Sequence, residues 1–583
     1  MVVGVLLAAS CVGSNQSLWL EADVPLEGTP AYSLRILNHW DNLDDTVERG
    51  YAGHSIWEWT SETLPAERIA RYGALNAKLG INGIVLNNVN AAPSVLDGEH
   101  LERVAAIADI LRDYGIRVYL SVNFASPSAL GQLPTADPLD PAVVRWWQAK
   151  VEEIYGLIPD FGGFLVKASS EGQPGPQDFG RTHADGANML ADALSPRGGI
   201  VMWRTFVYAA GSPDRAMQAY DEFVPLDGAF RPNVSLQVKN GPIDFQPREP
   251  VSPLFGALRE TSMTPEFQVT MEYLGQASTL VFLAPLWEEC LRTQIAPGLD
   301  VASVTAGAPL SAIAGVANVG QDADWCGNLF NQANWYAFGR LAWDPTLPSE
   351  QIAEEWLRIT FPKPPLMSQK RFTRGFVEPM KEIMLSSREA CVDYMMPMGL
   401  HHLFAWGHHF GPEPWCKIPG AREDWLPSYY HKADRDGIGF DRTVATGSGA
   451  TAQYNEPLRS LYEQVSACPE ELLLWFHHLD WDYRMSDGRT LWEALCLHYD
   501  GGVRQVRHYQ EVWAGMKPYV SGERYREVAA LLEENARLAA WWRDACLQYF
   551  AAFSRRPYPA GIEQPAVPLD SLKRVHLAMG SHN

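Results

Sequence analysis

Cysteine is scarce in this chain: eight are spread over 583 residues. They form no C-x-x-C pair and no dense framework, which argues against a disulfide-stapled scaffold or a clustered zinc module. Basic residues are outnumbered, with 47 Lys and Arg against 69 Asp and Glu and a formal charge of -22. A surface of that sign repels polyanions over its Debye length, so neither nucleic acid nor an anionic membrane is an expected partner. Any anionic ligand would need local cations. Long apolar runs are also missing, and nothing reaches the ~20 residues that a membrane-spanning helix requires. The opening MVVGVLLAASC is apolar but lacks a basic leader, which favours a cytoplasmic over a secreted protein. No G-x-G-x-x-G follows the first strand-like run and no G-x-S-x-G occurs, setting aside a Rossmann fold and a serine-hydrolase elbow.

What is present is a repeated grammar between about residues 31 and 325. Short aliphatic or β-branched runs end in polar residues and lead into segments of helical periodicity. The runs are SLRILNHWDN, INGIVLNNVNA, GIRVYLSVNFASP, GFLVKASSEG, IVMWRTFVY, VSLQVKNGPID, FQVTMEYLG and SAIAGVANVG. Between them lie amphipathic stretches such as LERVAAIADILRDYG, closed by Gly115. Strand and helix alternating eight times predict a closed (β/α)8 barrel over residues 31–345. Residues 346–583 lose strand-like alternation and predict an all-helical C-terminal domain, while residues 1–30 form an N-terminal extension.

Barrels of this kind carry their chemistry at the C-terminal strand ends. Three acids stand there: Glu171 after strand four, Asp244 after strand six and Glu272 near the end of strand seven. Strand alternation predicts that Lys167, Ser169 and Glu171 share one face, as do Gln268, Thr270 and Glu272. Glycosidic hydrolysis needs a carboxylic acid to protonate the leaving oxygen and a carboxylate across the ring, and strands four and seven lie nearly opposite one another, a geometry that favours inversion. Lys167, Arg204 and Lys239 also fall at strand ends. Either they pair with the acids or they capture a substrate carboxylate. A cation close to Glu171 stabilises its anion and opposes acid duty until a bound anion neutralises the cation. Tryptophan is frequent, at 21 residues; Trp40 and Trp57 follow the first strand, where an indole could stack on a sugar. The pairs His401-His402 and His408-His409 raise metal ligation, but no H-E-x-x-H or H-x-H pattern accompanies them. Neither metal nor cofactor is expected.

At this point the sequence resembles the α-glucuronidases of glycoside hydrolase family 67. The resemblance is carried by LRILNHWDNLDDTVERGYAGHSIW, VKASSEGQPGP, FGRTHADGANMLA, VKNGPIDFQPREPVSPLFG, NQANWYAFGRLAW and YHKADRDGIGFDRT, in order along residues 30–450. It implies an inverting, metal-independent hydrolase with a helical C-terminal domain that mediates homodimerisation. The implied substrates are glucuronoxylan-derived xylooligosaccharides carrying α-1,2-linked (4-O-methyl-)D-glucuronic acid. On that resemblance Glu171 is the general acid, Asp244 and Glu272 are candidates for activating water, and Lys167, Arg204 and Lys239 hold the uronate. Trp40 and Trp425 line the sugar pocket. Two departures stand out. The family's leading α/β domain has at most a remnant in residues 1–30, and Ser169 occupies a position where aspartate is common. A catalytically inactive uronate-oligosaccharide-binding protein of the same fold is the alternative.

Overall fold

The computed structural model describes residues 22–206, 213–407 and 409–575. Cys11, the apolar opening, His408 and the end of the IVMWRTFVY run lie outside them. Residues 22–30 contain neither helix nor strand and lie along the barrel's flank, where Ala22 O accepts from Lys78 Nζ at 3.0 Å and Glu27 O from Trp343 Nε1 at 2.8 Å.

Eight parallel strands close the barrel: β1 (Leu34–His39), β2 (Gly83–Val85), β3 (Arg117–Ser121), β4 (Gly163–Val166), β5 (Ile200–Arg204), β6 (Val234–Lys239), β7 (Met263–Gln268) and β8 (Ala312–Ala317). Each pairs with its sequence neighbour, and β1 pairs with β8 from Leu34 opposite Ala312 to His39 opposite Ala317. Closure leaves no barrel edge to be capped. The tight approach of β4 to β5 depends on Gly163, whose φ is 133° and where a Cβ would lie 2.0 Å from Ile200 O.

Inside, Ile36, Val85, Tyr119, Leu165, Met202 and Ala314 pack as one apolar cluster contributed by six strands. The interior turns polar on the other side. Ser235 and Thr264 share a hydrogen bond of 2.7 Å, and Gln237, Glu266 and Gln268 are buried along the same two strands. Period-two alternation links the two halves: Met202 and Arg204 share a face, and Leu165 is followed two residues later by Lys167.

The outer face is covered by α1 (Ala66–Lys78), α2 (Gly98–Arg112), α3 (Pro141–Leu157), α4 (His183–Leu194) and α5 (Leu329–Trp343), among others. Asp97, Asp140 and Thr182 cap three of these, each side chain accepting a backbone N–H of the first turn. The helical region follows with α6 (Ser349–Thr360), α7 (Glu378–Met395), α8 (Leu491–Ala514) and α9 (Gly522–Ser554). Helix α8 packs against both α7 and α9 and begins in a capping box of Thr490 and Glu493. Buried polar contacts tie this region to the barrel: Arg442 Nε donates to Asp214 Oδ2 at 2.8 Å, Ser387 Oγ accepts from Phe282 N at 2.8 Å, and Arg388 Nε donates to Pro247 O at 3.1 Å.

The strand expectations need two corrections. Strand β7 begins four residues before the FQVTMEYLG run and ends at Gln268, because Pro265, which lacks an N–H and reads as a strand breaker, sits inside the ladder opposite Val238. Glu272 therefore lies beyond the strand, and Thr270 does not share its environment: Thr270 Oγ1 pairs with Tyr51 OH at 2.9 Å, whereas Glu272 accepts from Gln268. Strand β4 likewise ends at Val166. Ser169 and Glu171 have φ of 54° and 49°, so left-handed turns rather than strand alternation aim the glutamate.

Candidate active site

Lys167, Arg204 and Lys239 follow or end β4, β5 and β6 and meet over one ring. Lys239 Nζ is 3.5 Å from the Phe206 centroid, Lys167 Nζ 5.4 Å and Arg204 Cζ 5.5 Å. Three cations around a single aromatic ring are partly compensated by its quadrupole, but most of the compensation comes from acids. Arg204 is buried in a two-bond pair with Glu266, through Nε at 3.0 Å and Nη2 at 2.5 Å. That pair does not use Nη1. Lys239 donates to Asp244 Oδ1 at 2.6 Å. Lys167 donates to Asn90 Oδ1 at 2.8 Å and to Glu171 Oε2.

Glu171 keeps 40% of its side chain accessible while its lysine partner keeps 2%. Burial of the surroundings opposes its ionisation, but the Lys167 ammonium outweighs that and holds the carboxyl below the usual carboxylate range; Asp244 pushes it up and Lys239 down. Ser169, in the adjoining turn, donates to Gln177 Oε1. A cleft of about 700 Å³ opens beside Glu171, lined by Gln173, Gln177, Arg181, His183 and Glu222 among others.

Asp244 and Glu272 form the other flank, and both are buried. Asp244 Oδ2 accepts from Tyr273 OH at 2.7 Å and lies 3.9 Å from Arg215 Nη2. Burial favours its neutral form, yet Lys239 and Arg215 prevail and hold it below the carboxylate range. Glu272 accepts from Arg49 Nε, His409 Nδ1 and Gln268 Nε2, each at 2.7 Å. Against the same burial, Arg49 and His409 bring its carboxyl down to about 2. Asp244 acts electrostatically on both Glu171 and Glu272, raising the pKa of each, so it lies within electrostatic reach of both other acids.

Backbone strain gathers at the same place. Arg49, Ser169, Glu171, His402 and His409 all have positive φ, a conformation that costs non-glycine residues on the order of 1–3 kcal/mol each and clusters at functional sites. Trp40 is buried, with no hydrogen-bond partner for Nε1 among the described residues. Trp57 belongs to the core, 5.1 Å from the His39 ring. Trp425 is half-buried on the turn Glu423–Trp425, beside Asp424, whose carbonyl accepts from Arg215 Nη1 at 3.3 Å and Tyr430 OH at 2.6 Å. The helical region thus brings the Asp424 carbonyl to Arg215, while the Arg422 guanidinium lies over the Trp425 ring, 5.8 Å from its centroid.

Sequence reasoning missed Arg49, Phe206, Arg215, Tyr273 and His409. His409 was noticed only for possible metal binding, and its structural role is a hydrogen bond to Glu272. No group of three or more His, Cys, Asp or Glu within joint ligating reach occurs among the described residues. The nearest available signal was positional, since Phe206 lies two residues beyond the end of β5 and Tyr273 adjoins Glu272.

A closed parallel barrel with acids and cations gathered at the C-terminal strand ends defines a (β/α)8 barrel whose chemistry would sit at that end. Residues 19–325 match the glycosyl hydrolase family 67 middle domain and residues 326–563 the family's C-terminus; the chain belongs to that family. It is 41% identical over 543 residues to a "Probable alpha-glucuronidase A" of Neosartorya fischeri, covering 90% of this chain and 63% of the relative. It is 40% identical over 565 residues to an "Alpha-glucuronidase A" of Emericella nidulans, covering 93% of this chain and 65% of the relative. The chain thus spans somewhat less than two thirds of the length of these curated relatives.

Proposed function

We propose that the protein is an inverting α-glucuronidase that removes α-1,2-linked (4-O-methyl-)D-glucuronic acid from xylooligosaccharides. The observation that carries this reading is the meeting of Lys167, Arg204 and Lys239 over Phe206, with Glu171 and Asp244 bound to two of those cations. Each of these cations already pairs with a carboxylate, Arg204 with Glu266, Lys239 with Asp244 and Lys167 with Glu171, and an entering anionic group would compete for those pairs. A uronate is such a group, and the relatives' names agree with it.

In this mechanism the uronate carboxylate enters among the three cations and competes for the Lys167 ammonium. Glu171 loses the partner that held it ionised, its pKa rises, and it becomes able to protonate the departing xylose oxygen. Water attacks the anomeric carbon from the opposite flank, where Asp244 or Glu272 takes its proton. Both are held as carboxylates, which suits a base. Trp40 and Trp425 lie against the sugar, and the cleft beside Glu171 receives the xylose chain on the acid's side. Homodimerisation through the helical region completes the proposal, and light scattering on the purified chain tests it.

Aldotriouronic acid incubated with the protein should release free uronic acid, whose first-formed anomer by NMR is β for inversion. Retention of the α form would overturn the stereochemistry. Tight binding without release would point instead to a uronate-binding protein of the same fold.

A further inference from the structure

Glu249 has no part in the mechanism above, yet it is one of the most enclosed carboxyl groups in the barrel, with a fully buried side chain. It sits inside the loop that carries Asp244. Ile243 N donates to its Oε2 at 2.9 Å; Asp244 N and Gln246 N donate to Oε1 at 2.8 and 3.3 Å. The loop wraps it so closely that a Cβ at Gly241 would lie 2.3 Å from Glu249 Oε2. The N–H groups of Ile243 and Asp244 depend on this carboxyl and fix the path of the chain through Asp244, because each would be costly to leave unpaired in the interior. Gln246 N, by contrast, also donates to Asp244 O at 2.7 Å.

The fourth partner comes from the helical region. His401 Nε2 lies 3.3 Å from Glu249 Oε1, His401 Nδ1 adjoins His402 Nδ1, and His402 Nε2 lies 3.2 Å from Arg215 Nη1. A guanidinium can only donate, so His402 Nε2 accepts and its proton sits on Nδ1. That proton is given to His401 Nδ1, which leaves the His401 proton on Nε2, directed at Glu249. One charge at Arg215 thereby sets both tautomers. The chain also closes on itself, since Arg215 Nη2 is 3.9 Å from Asp244 Oδ2.

We propose that Glu249 is a positioning residue for Asp244, and that the helical region orients it through His401 and His402, whose tautomers the barrel's Arg215 sets. The inference rests on the function proposed above. Asp244 is consequently held at both ends: its backbone by Glu249, its carboxylate by Lys239, Tyr273 and Arg215.

Glu249→Gln in the full chain is the test. Glutamine offers one accepting oxygen where two now accept, so an amide N–H must face the N–H of Ile243 or Asp244. With aldotriouronic acid, kcat should fall on the order of 100-fold, the cost of a displaced reacting group, while KM stays within about threefold. The same loss is expected on an aryl glucuronide with a good leaving group, because the attacking flank is the one disturbed. A kcat within about threefold of wild type, or a rise in KM at constant kcat, would overturn the proposal. Should Glu249→Gln fail to fold, His401→Phe decides, with kcat expected to fall about tenfold at unchanged KM and an unchanged kcat counting against it. If the wild type releases no uronic acid, the function fails and the crystal structure of Glu249→Gln decides alone. A 243–246 turn displaced relative to β6 supports the assignment, and an unmoved turn refutes it.

Discussion

The two flanks of the opening are built differently. Glu171 stands on a loop of the barrel itself, with a barrel lysine as its ion-pair partner and 40% of its side chain accessible. Glu272 and Asp244 are buried, and each depends on the helical region: His409 donates to Glu272, while Arg215, beside Asp244, is held by His402, the Asp424 carbonyl and Tyr430. On the mechanism proposed above, an acid that must meet a leaving group of variable length gains from an open loop. A base that must hold one water gains from enclosure, where fixed donors keep it ionised without reorganising. The helical region therefore supplies polar partners to Glu272 and Arg215 as well as support for the barrel.

Substitutions on each side can break this contrast. Asp244→Ala should be the most damaging, lowering kcat by up to about 10⁴-fold on aldotriouronic acid and on an activated aryl glucuronide alike, because it removes one of the two candidate bases and leaves buried Lys239 without its carboxylate. Glu171→Ala should lose about 10³-fold on the natural substrate but recover most of it on the activated one, whose leaving group needs no proton. Equal losses on both substrates would remove Glu171 from the acid's role. His409→Ala tests the contribution of the helical region; it should cost on the order of 10- to 100-fold in kcat by freeing Glu272, with thermal unfolding little changed. Wild-type kinetics in that variant would make the enclosed flank a product of the barrel alone.

The smallest effect is expected away from the opening, within the helical region. His498 on α8 lies 2.8 Å from Asp393 on α7 and 3.0 Å from Glu470. Burial lowers its pKa, but the two carboxylates prevail and raise it to about 9. A folded-state pKa above the unfolded value near 6.5 means that its contribution is complete below about pH 6.5 and is lost as pH rises through about 9. After screening, that contribution is about 2 kcal/mol. Thermal unfolding followed from pH 6 to 10 should show the wild type losing this increment and His498→Gln lacking it throughout. Parallel curves would show the triad contributes nothing.

Much of the fold was legible because it rests on local pattern. Eight apolar runs alternating with amphipathic helices implied a closed parallel barrel, and polar residues at the run ends marked where its opening would be. Where a strand stops was less legible, since Pro265 hides the start of β7 and the positive φ of Ser169 and Glu171 cannot be read from residues that are not glycine. Partners from distant segments were not legible at all. Arg49 and His409 are 360 positions apart and meet at one carboxylate of Glu272.

The sequence by itself determined the alternation of elements, the acidic surface, and which titratable side chains stand at strand ends, because each follows from residues near one another in the chain. Only the tertiary structure decided which cation meets which acid, which carboxyl is enclosed, and how the helical region reaches across the barrel. Charge interactions depend on distance and burial, and closing the barrel and docking the helices set both.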